Sequence, residues 1–243
     1  FRMAKMSKEK KERREANVEI ERSMLAAISE ANKVEDILEP FAAFRKFSRN
    51  DLDLAITYSP ASKMTPGDTK SAFSLLKHNM HGMYERDKGW NDRKKMRELR
   101  EDDARFLLVK KKTLSTESGS GMEKPSLLGE NEAKTAEELP ADLLAFVHFR
   151  FTTEGAREVL YVYEIQLNES VTRKGLGKFL MQLIELIARR NKMKAVFLTV
   201  HKENSAAVSF YKNALKYNID ESSPDEADDA YGYLILSKIF PTA

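Results

Sequence analysis

The sequence predicts an α/β fold of the α+β kind, on three observations. A helical periodicity opens the chain, alternating or unbroken apolar runs recur through its middle, and the segment from Leu144 onward reads as a hairpin followed by β-α-β-α-β. With 243 residues, 42% of them hydrophobic, there is material for one substantial core or two small ones. We read a basic flexible arm over 1–16 and a single domain over 17–243.

Taken in order, Lys5, Lys8, Lys10, Lys11, Arg13 and Arg14 crowd the arm. Such a run suits a contact with the ribosome or chromatin, and equally a solvated, frayed segment. Val18, Met24, Leu25, Ile28, Ala31 and Leu38 recur at helical spacing, predicting an amphipathic helix over 17–38 that Pro40 closes. Leu52, Leu54, Ile56 and Tyr58 alternate as in a strand. Thr65-Pro66-Gly67-Asp68 turns into a helix with Phe73, Leu76, Met80 and Met83 on one face. Trp90 stands between that helix and a short charged one, where packing is its expected role. Phe106 to Val109 is a second strand, followed over 110–140 by a polar, Gly- and Ser-containing insertion expected to be a mobile loop.

Beyond the insertion, Leu144–Phe151 and Val159–Leu167 flank the turn Thr153-Glu154-Gly155 as an antiparallel hairpin. A glycine-containing loop then opens a helix burying Phe179, Leu180, Leu183, Ile184 and Ile187. Ala195–Val200 is unbroken apolar, as in a strand covered on both faces. Asn204-Ser205 caps a helix with Val208, Tyr211 and Leu215, and a last strand spans Tyr231 to Ile239.

Composition excludes several chemistries. The chain has no cysteine, so disulfides, thiolate zinc sites and an acyl-cysteine intermediate are ruled out. No His, Asp and Glu cluster has metal-ligand spacing, and no metal is expected. No apolar run approaches the ~20 residues that span a bilayer, so no membrane partner is expected either. A net charge of +3 is too small to argue for nucleic acid. A soluble protein of the cytoplasm or nucleus is the expectation.

The unit that carries chemistry is the strand ending at Leu167, then Arg173-Lys174-Gly175-Leu176-Gly177-Lys178, then a helix. Two glycines let the backbone turn tightly and approach a ligand. Amides at the helix start point outward, where the dipole favours an anion, and Arg173, Lys174 and Lys178 add charge. The spacing is not that of a P-loop, and Leu180 stands where a dinucleotide fingerprint needs its third glycine. The plainer reading is a glycine-rich turn with surface lysines.

That loop resembles the acetyl-CoA loop of the GNAT acetyltransferases, Gln/Arg-x-x-G-x-G/A, although Thr172 stands where Gln or Arg is due and Arg173 comes one residue late. The stretch Leu198-Thr199-Val200 through Asn204, Ala207, Phe210 and Tyr211 is similar to the family's second signature, without the glycine that often follows it. The resemblance covers roughly 104–240. It implies the acyl-CoA N-acyltransferase fold, a mixed, mostly antiparallel sheet flanked by helices with an extra N-terminal helix, and an acetyl-CoA core over 142–240. It also implies acetyl-CoA as cosubstrate, held by Ile165, Gln166, Leu167, Thr172, Arg173, Lys174, Gly175, Leu176, Gly177, Lys178 and Asn204.

Within the family, Phe149-Arg150-Phe151, Leu160-Tyr161-Val162-Tyr163-Glu164, Arg173–Leu180, Asp220–Pro224, Met83-Tyr84-Glu85 and Trp90–Arg93 resemble the NatD N-terminal acetyltransferases. That resemblance implies acetylation of histone N-terminal tails beginning Ser-Gly-Arg-Gly, by direct attack in a ternary complex, in the cytoplasm and nucleus. It implies a tail read by Tyr84, Glu154, Tyr163, Thr199 and Tyr233, with Thr152 replacing a second acid. A lysine- or small-amine acetyltransferase and a silent CoA- or chromatin-binding module remain alternatives.

An α-amine titrates near ~7.7–8.0, against ~10.4 for lysine, so a modest base suffices. Glu164 is the best candidate, Tyr161 and Tyr163 accompany it, and Tyr211 is the candidate acid. In strict alternation Tyr161 and Tyr163 share a strand face that Glu164 leaves, so all three reach one substrate only across a bulge. The plainer alternatives are a carboxylate paired to lysine and aromatics of the core or sheet edge. His148, mid-strand in an aromatic run, is expected in the core rather than as a base, and His201 follows the later strand near the loop.

Overall fold

The computed structural model describes residues 2–86, 89–112, 143–228 and 230–241. Helix α1 (Arg2–Asn32) leads into a 3-10 helix at Glu39–Arg45 and the hairpin β1 (Lys46–Arg49) and β2 (Leu52–Pro60). Helices α2 (Pro66–Arg86) and α3 (Asp92–Glu98) follow, then strands β3 (Arg105–Lys111), β4 (Leu143–Glu154) and β5 (Arg157–Leu167). Helix α4 (Leu176–Arg190), β6 (Ala195–His201), α5 (Ser205–Ser209) with a π-helical turn at Phe210–Ala214, β7 (Asn218–Ile219) and β8 (Tyr233–Ile239) complete the chain.

The eight strands form one mixed sheet in the order β1-β2-β3-β4-β5-β6-β8-β7. Only β5 and β6 run parallel, and every other neighbouring pair is antiparallel. Alternation sends Leu107, Val109, Val147, Phe149, Leu160 and Val162 to one face, where α1 and α4 cover them. Phe106, Leu108 and Phe146 go to the other, against Leu75 and Leu76 of α2 and Leu99 after α3. Central β4 is buried over nine consecutive residues, Leu143–Phe151, as a strand clad on both faces must be. Leu180, Leu183, Ile184 and Ile187 of α4 are fully buried, each contributing roughly 1.5–3 kcal/mol.

Several boundaries differ from the sequence expectation. The segment read as a separate arm continues into α1, which ends at Asn32 instead of reaching 38. The chain breaks there because Ile37 and Leu38 turn into the core and Asp36 accepts the Leu38 amide at 3.1 Å. Strand β1 carries one buried residue, Phe47, and β7 has two residues in all, so neither shows a period. The β1–β2 turn places Asn50 and Asp51 at φ of 53° and 60°, the left-handed pair that a two-residue hairpin demands. Most of the insertion read over 110–140 lies outside the described residues. Among the described residues no helix is long and apolar enough to cross a membrane.

Two irregularities shape the sheet's centre. The parallel pairing of β5 with β6 lasts only from Val159–Ala195 to Val162–Leu198, after which β5 continues to Leu167 and β6 to His201 as separate arms. On the other side of β5, His148 opposes Glu164 while Phe149 opposes Val162, leaving Tyr163 as the extra residue of a bulge.

Candidate active site

The bulge decides which side chains meet. Before it, Tyr161 opposes Arg150. After it, Glu164 opposes His148 and Gln166 opposes Phe146, all on the face covered by α2 and α3. Tyr163, the inserted residue, keeps to that same side. Its ring lies 5.2 Å from that of Tyr161 and stacks on His148 at 5.0 Å. The face conflict in the sequence reading is resolved: Tyr161, Tyr163, Glu164 and Gln166 line one cavity of about 1170 Å³.

Each of these groups is held. His148 is sandwiched between Tyr163 and the Phe106 ring at 4.9 Å, and burial, with Arg150 and Lys95 adding to it, lowers its pKa to about 3. It is therefore neutral packing, as expected, and no base at physiological pH. The Arg150 guanidinium lies 4.3 Å from the centre of the Tyr163 ring and is braced by Glu101, by Asp103 at 3.1 Å and by the Glu98 carbonyl at 2.9 Å. Tyr161 shares a 2.5 Å hydrogen bond with the Thr199 hydroxyl. Burial raises the pKa of both Tyr161 and Tyr163, keeping them neutral.

Glu164 is ion-paired to a lysine, Lys95 at 3.5 Å, yet it is no surface carboxylate: it is largely buried in the cavity wall. Burial raises its pKa, opposed by Lys95 and by a 2.9 Å hydrogen bond from Gln166 Nε2. Tyr211 is buried among Phe210 and Tyr217 and still lines the cavity, and burial drives its pKa up. Glu154 ends β4 at the cavity, its pKa raised by burial and by Asp220.

The glycine loop forms the opposite end of the cavity. Arg173 and Gly175 take positive φ, 58° and 84°, and reverse the chain into α4. The first helical bond runs from Phe179 N to Gly175 O at 3.1 Å, so the amides of Leu176, Gly177 and Lys178 precede any intrahelical acceptor. Asn50, from the β1–β2 turn, donates to the Lys174 carbonyl at 2.9 Å and pins the loop from behind. A Cβ on Gly177 would meet Phe210 and Leu167, both cavity walls, at 3.6 and 3.8 Å, ordinary contact distances, so the positive φ of Gly175 is the stricter demand for glycine in this loop. Arg173 and Lys178 line it, as do Ile165, Gln166 and Leu167 on the free arm of β5. These residues fit a diphosphate and the slender arm attached to it.

Some candidate residues are placed differently. Leu176 is fully buried in the core, because the first turn of α4 packs on the sheet, so only its amide can serve a ligand. Lys174 does not line the cavity; it contributes the carbonyl that Asn50 takes. Thr172 lines it, but its hydroxyl donates to the Glu169 carbonyl at 2.9 Å and so tightens the preceding 3-10 turn. Asn204 caps α5, accepting the Ala207 amide at 3.1 Å, with its side chain at the cavity edge. Thr199 lines the cavity, whereas Tyr233 does not and packs edge-on against Tyr231 at 6.0 Å. Tyr84 belongs to α2, and its side chain lies outside the described residues. Trp90 packs on His81 and Phe73, with its Nε1 donating to Asp92.

Asn79, Lys95, Glu98 and Glu101 also line the cavity, without a role in the sequence reading. They come from α2, α3 and the turn after it, and the only local signal for any of them was the i,i+3 spacing of Lys95 and Glu98. Among the described residues no group of His, Asp and Glu could hold a metal ion.

A splayed parallel strand pair, an anion cradle at its foot and a carboxylate on the adjoining wall fit a ligand that carries a diphosphate and places its far end beside a proton acceptor. The chain belongs to the GNAT family of acetyltransferases, whose family model matches residues 83–217. It is therefore an acetyltransferase that uses acetyl-CoA. Among solved structures it is similar to a GNAT-family acetyltransferase of Listeria monocytogenes 4b F2365, with a TM-score of 0.49 and 11% identity over 80% of this chain and 99% of that one. It is also similar to the PaiA N-acetyltransferase of Thermoplasma acidophilum in complex with coenzyme A (TM-score 0.48, 17% identity, 77% and 99% covered). A third is the NatC complex bound to Gag peptide and CoA (0.48, 12%, 76% and 99%).

Proposed function

We propose that the chain acetylates the α-amino group of a protein N-terminus, and that its substrate is a histone tail beginning Ser-Gly-Arg-Gly. The observation that supports this most is the bulge at Tyr163, which aims Glu164, Tyr161 and Tyr163 together into the cavity that the glycine loop closes. A buried carboxylate with a raised pKa matches an α-amine, which titrates ~2–3 units below lysine.

Bound acetyl-CoA supplies the thioester-activated acetyl group, and Arg173, Lys178 and the first amides of α4 would hold its diphosphate. Glu164 takes the proton of the incoming ammonium, directly or through a water, leaving the amine lone pair free. Tyr161 and Tyr163 flank the amine as neutral hydroxyls. Tyr211, protonated at any working pH, lines the cavity as a donor for the departing sulfur. The second proton that the nitrogen sheds as the amide forms replaces the one Tyr211 gives up, while Glu164 releases its proton to solvent. Glu154, at the substrate end, offers a carboxylate that an arginine can bind bidentately. Thr152 leaves this task with a single β4 acid, because Glu98 and Glu101 on the cavity wall are already paired with Lys95 and Arg150.

Mass spectrometry with acetyl-CoA and a Ser-Gly-Arg-Gly-Lys peptide tests the reading. Acetate is expected on the α-amine, and blocking that amine is expected to abolish turnover. Acetate on the lysine instead would replace this reading with that of a lysine acetyltransferase. No turnover on any amine would favour a silent CoA-binding module.

A further inference from the structure

Glu164 belongs to a network that reaches it from two other elements. On one side, Lys95 of α3 places Nζ 3.5 Å from Glu164 Oε1 and 3.2 Å from Glu98 Oε2. The Lys95 and Glu164 side chains are 14% and 11% exposed, so water screens this cluster little. On the other, Gln166 Nε2 donates to Glu164 Oε2 at 2.9 Å. The Gln166 amide cannot flip without loss, because its oxygen accepts from Asn79 Nδ2 at 3.0 Å. Asn79 Nδ2 is itself anchored on the Leu167 carbonyl at 3.1 Å. Each carboxylate oxygen therefore faces one donor.

A carboxylate taken out of water reclaims a proton unless a cation or donors compensate. A protonated Glu164 could not accept the proton of the amine. Full contact with a cation would err the other way and leave it too weak a base. Lys95, divided between two carboxylates, sits between these limits.

We propose that Lys95 is a positioning residue for the reaction: together with the Asn79–Gln166 amide relay it keeps the Glu164 carboxylate ionised and turned into the cavity, and Glu98 moderates its pull. This rests on the reading of Glu164 as the base. Among the described residues the groups that face Glu164 are Lys95 and Glu98 from α3, His148 from β4, Tyr163 and Gln166 from β5, and Tyr211 from the turn after α5, with Asn79 of α2 behind Gln166. His148 and the two tyrosines are neutral at working pH, so Lys95 and Glu98 are the charges a substitution can remove.

The signs are opposite for the two. Lys95 holds the Glu164 pKa down, so Lys95→Met should move it up. Glu98 pushes it up, so Glu98→Gln should move it down. The experiment is a ¹³C NMR carboxyl titration of the protein without acetyl-CoA, with the Glu164 resonance identified by its loss in Glu164→Gln. Alongside it, kcat/KM is measured against pH as a ratio to wild type, in which the substrate's own ionisation cancels. Lys95→Met is expected to raise the midpoint by about one unit, and the rate ratio to fall about tenfold on the acid side and recover towards alkaline pH. Lys95→Arg should restore both.

An unmoved midpoint in Lys95→Met, or shifts of the same sign in the Met and Gln variants, would overturn the proposal. Should Lys95→Met not fold, the downward shift in Glu98→Gln carries the test, and its absence overturns it. A Glu164→Gln enzyme that keeps its rate would sink the base assignment itself. If Glu164→Gln is inactive while Lys95→Met leaves midpoint and pH dependence unchanged, the Lys95 proposal alone fails.

Discussion

The two ends of the cavity are built by different means. The cofactor end is mainly backbone: two positive-φ residues and the three leading amides of α4, all within a few consecutive positions. The end we assign to the substrate is side chains brought from β4, β5, β6, α2, α3 and the turn after α5, and they meet because one residue, Tyr163, is inserted into the β4–β5 register. A backbone site tolerates much sequence change and carries little specificity. A side-chain site depends on each group and carries the choice of substrate. Single substitutions should therefore cost more at the β5 wall than at the loop.

The largest effect is expected at Glu164. Glu164→Gln keeps the shape and the Gln166 contact but removes the proton acceptor, and kcat should fall by ~10²–10⁴ with little change in KM for acetyl-CoA. Steady-state kinetics on the Ser-Gly-Arg-Gly peptide measures it. Loss of acetyl-CoA affinity in place of turnover would blur the division between the two ends.

The same division explains what the sequence could reveal. The cradle was legible because its parts are contiguous: strand, Arg173 to Lys178, amphipathic α4. The β4–β5 hairpin and β6 were legible from their apolar runs. The wall was legible only in part. Glu164, Tyr161 and Tyr163 were singled out by resemblance, but alternation placed them on opposite faces, and no local pattern marks where a register slips by one residue. Lys95 and Asn79 were invisible because their meaning is a tertiary contact, 69 residues from Glu164 in one case and 87 from Gln166 in the other. Leu176 and Tyr233 show what motif position leaves out: packing turns the Leu176 side chain into the core, leaving its amide to the cradle, and Tyr233 stands off the cavity wall.

Glu154 should show a smaller, more selective effect. Exchanging its carboxylate for an amide, Glu154→Gln, removes the charge-assisted half of an arginine contact, which is worth about 1.5–3 kcal/mol, or about 10–100-fold in kcat/KM. The loss is expected on Ser-Gly-Arg-Gly and not on the same peptide with citrulline at the third position. Equal losses on both would mean that Glu154 shapes the wall without reading the tail.

The smallest effect is expected at Asn50, which does not line the cavity and supports the loop through the Lys174 carbonyl. Its 2.9 Å bond to the Lys174 carbonyl is exposed, so Asn50→Ala should cost only about 0.5–1.5 kcal/mol of local order. The turn it occupies also has positive φ, where alanine is mildly strained. Because the cradle acts through its backbone, a loosened loop should appear as a few-fold rise in KM for acetyl-CoA, with kcat and peptide KM unchanged. Isothermal titration with CoA should show a few-fold rise in Kd, read without turnover. A fall in kcat instead would mean that the hairpin reaches the β5 wall as well as the loop, and the two ends of the cavity would have to be treated as one.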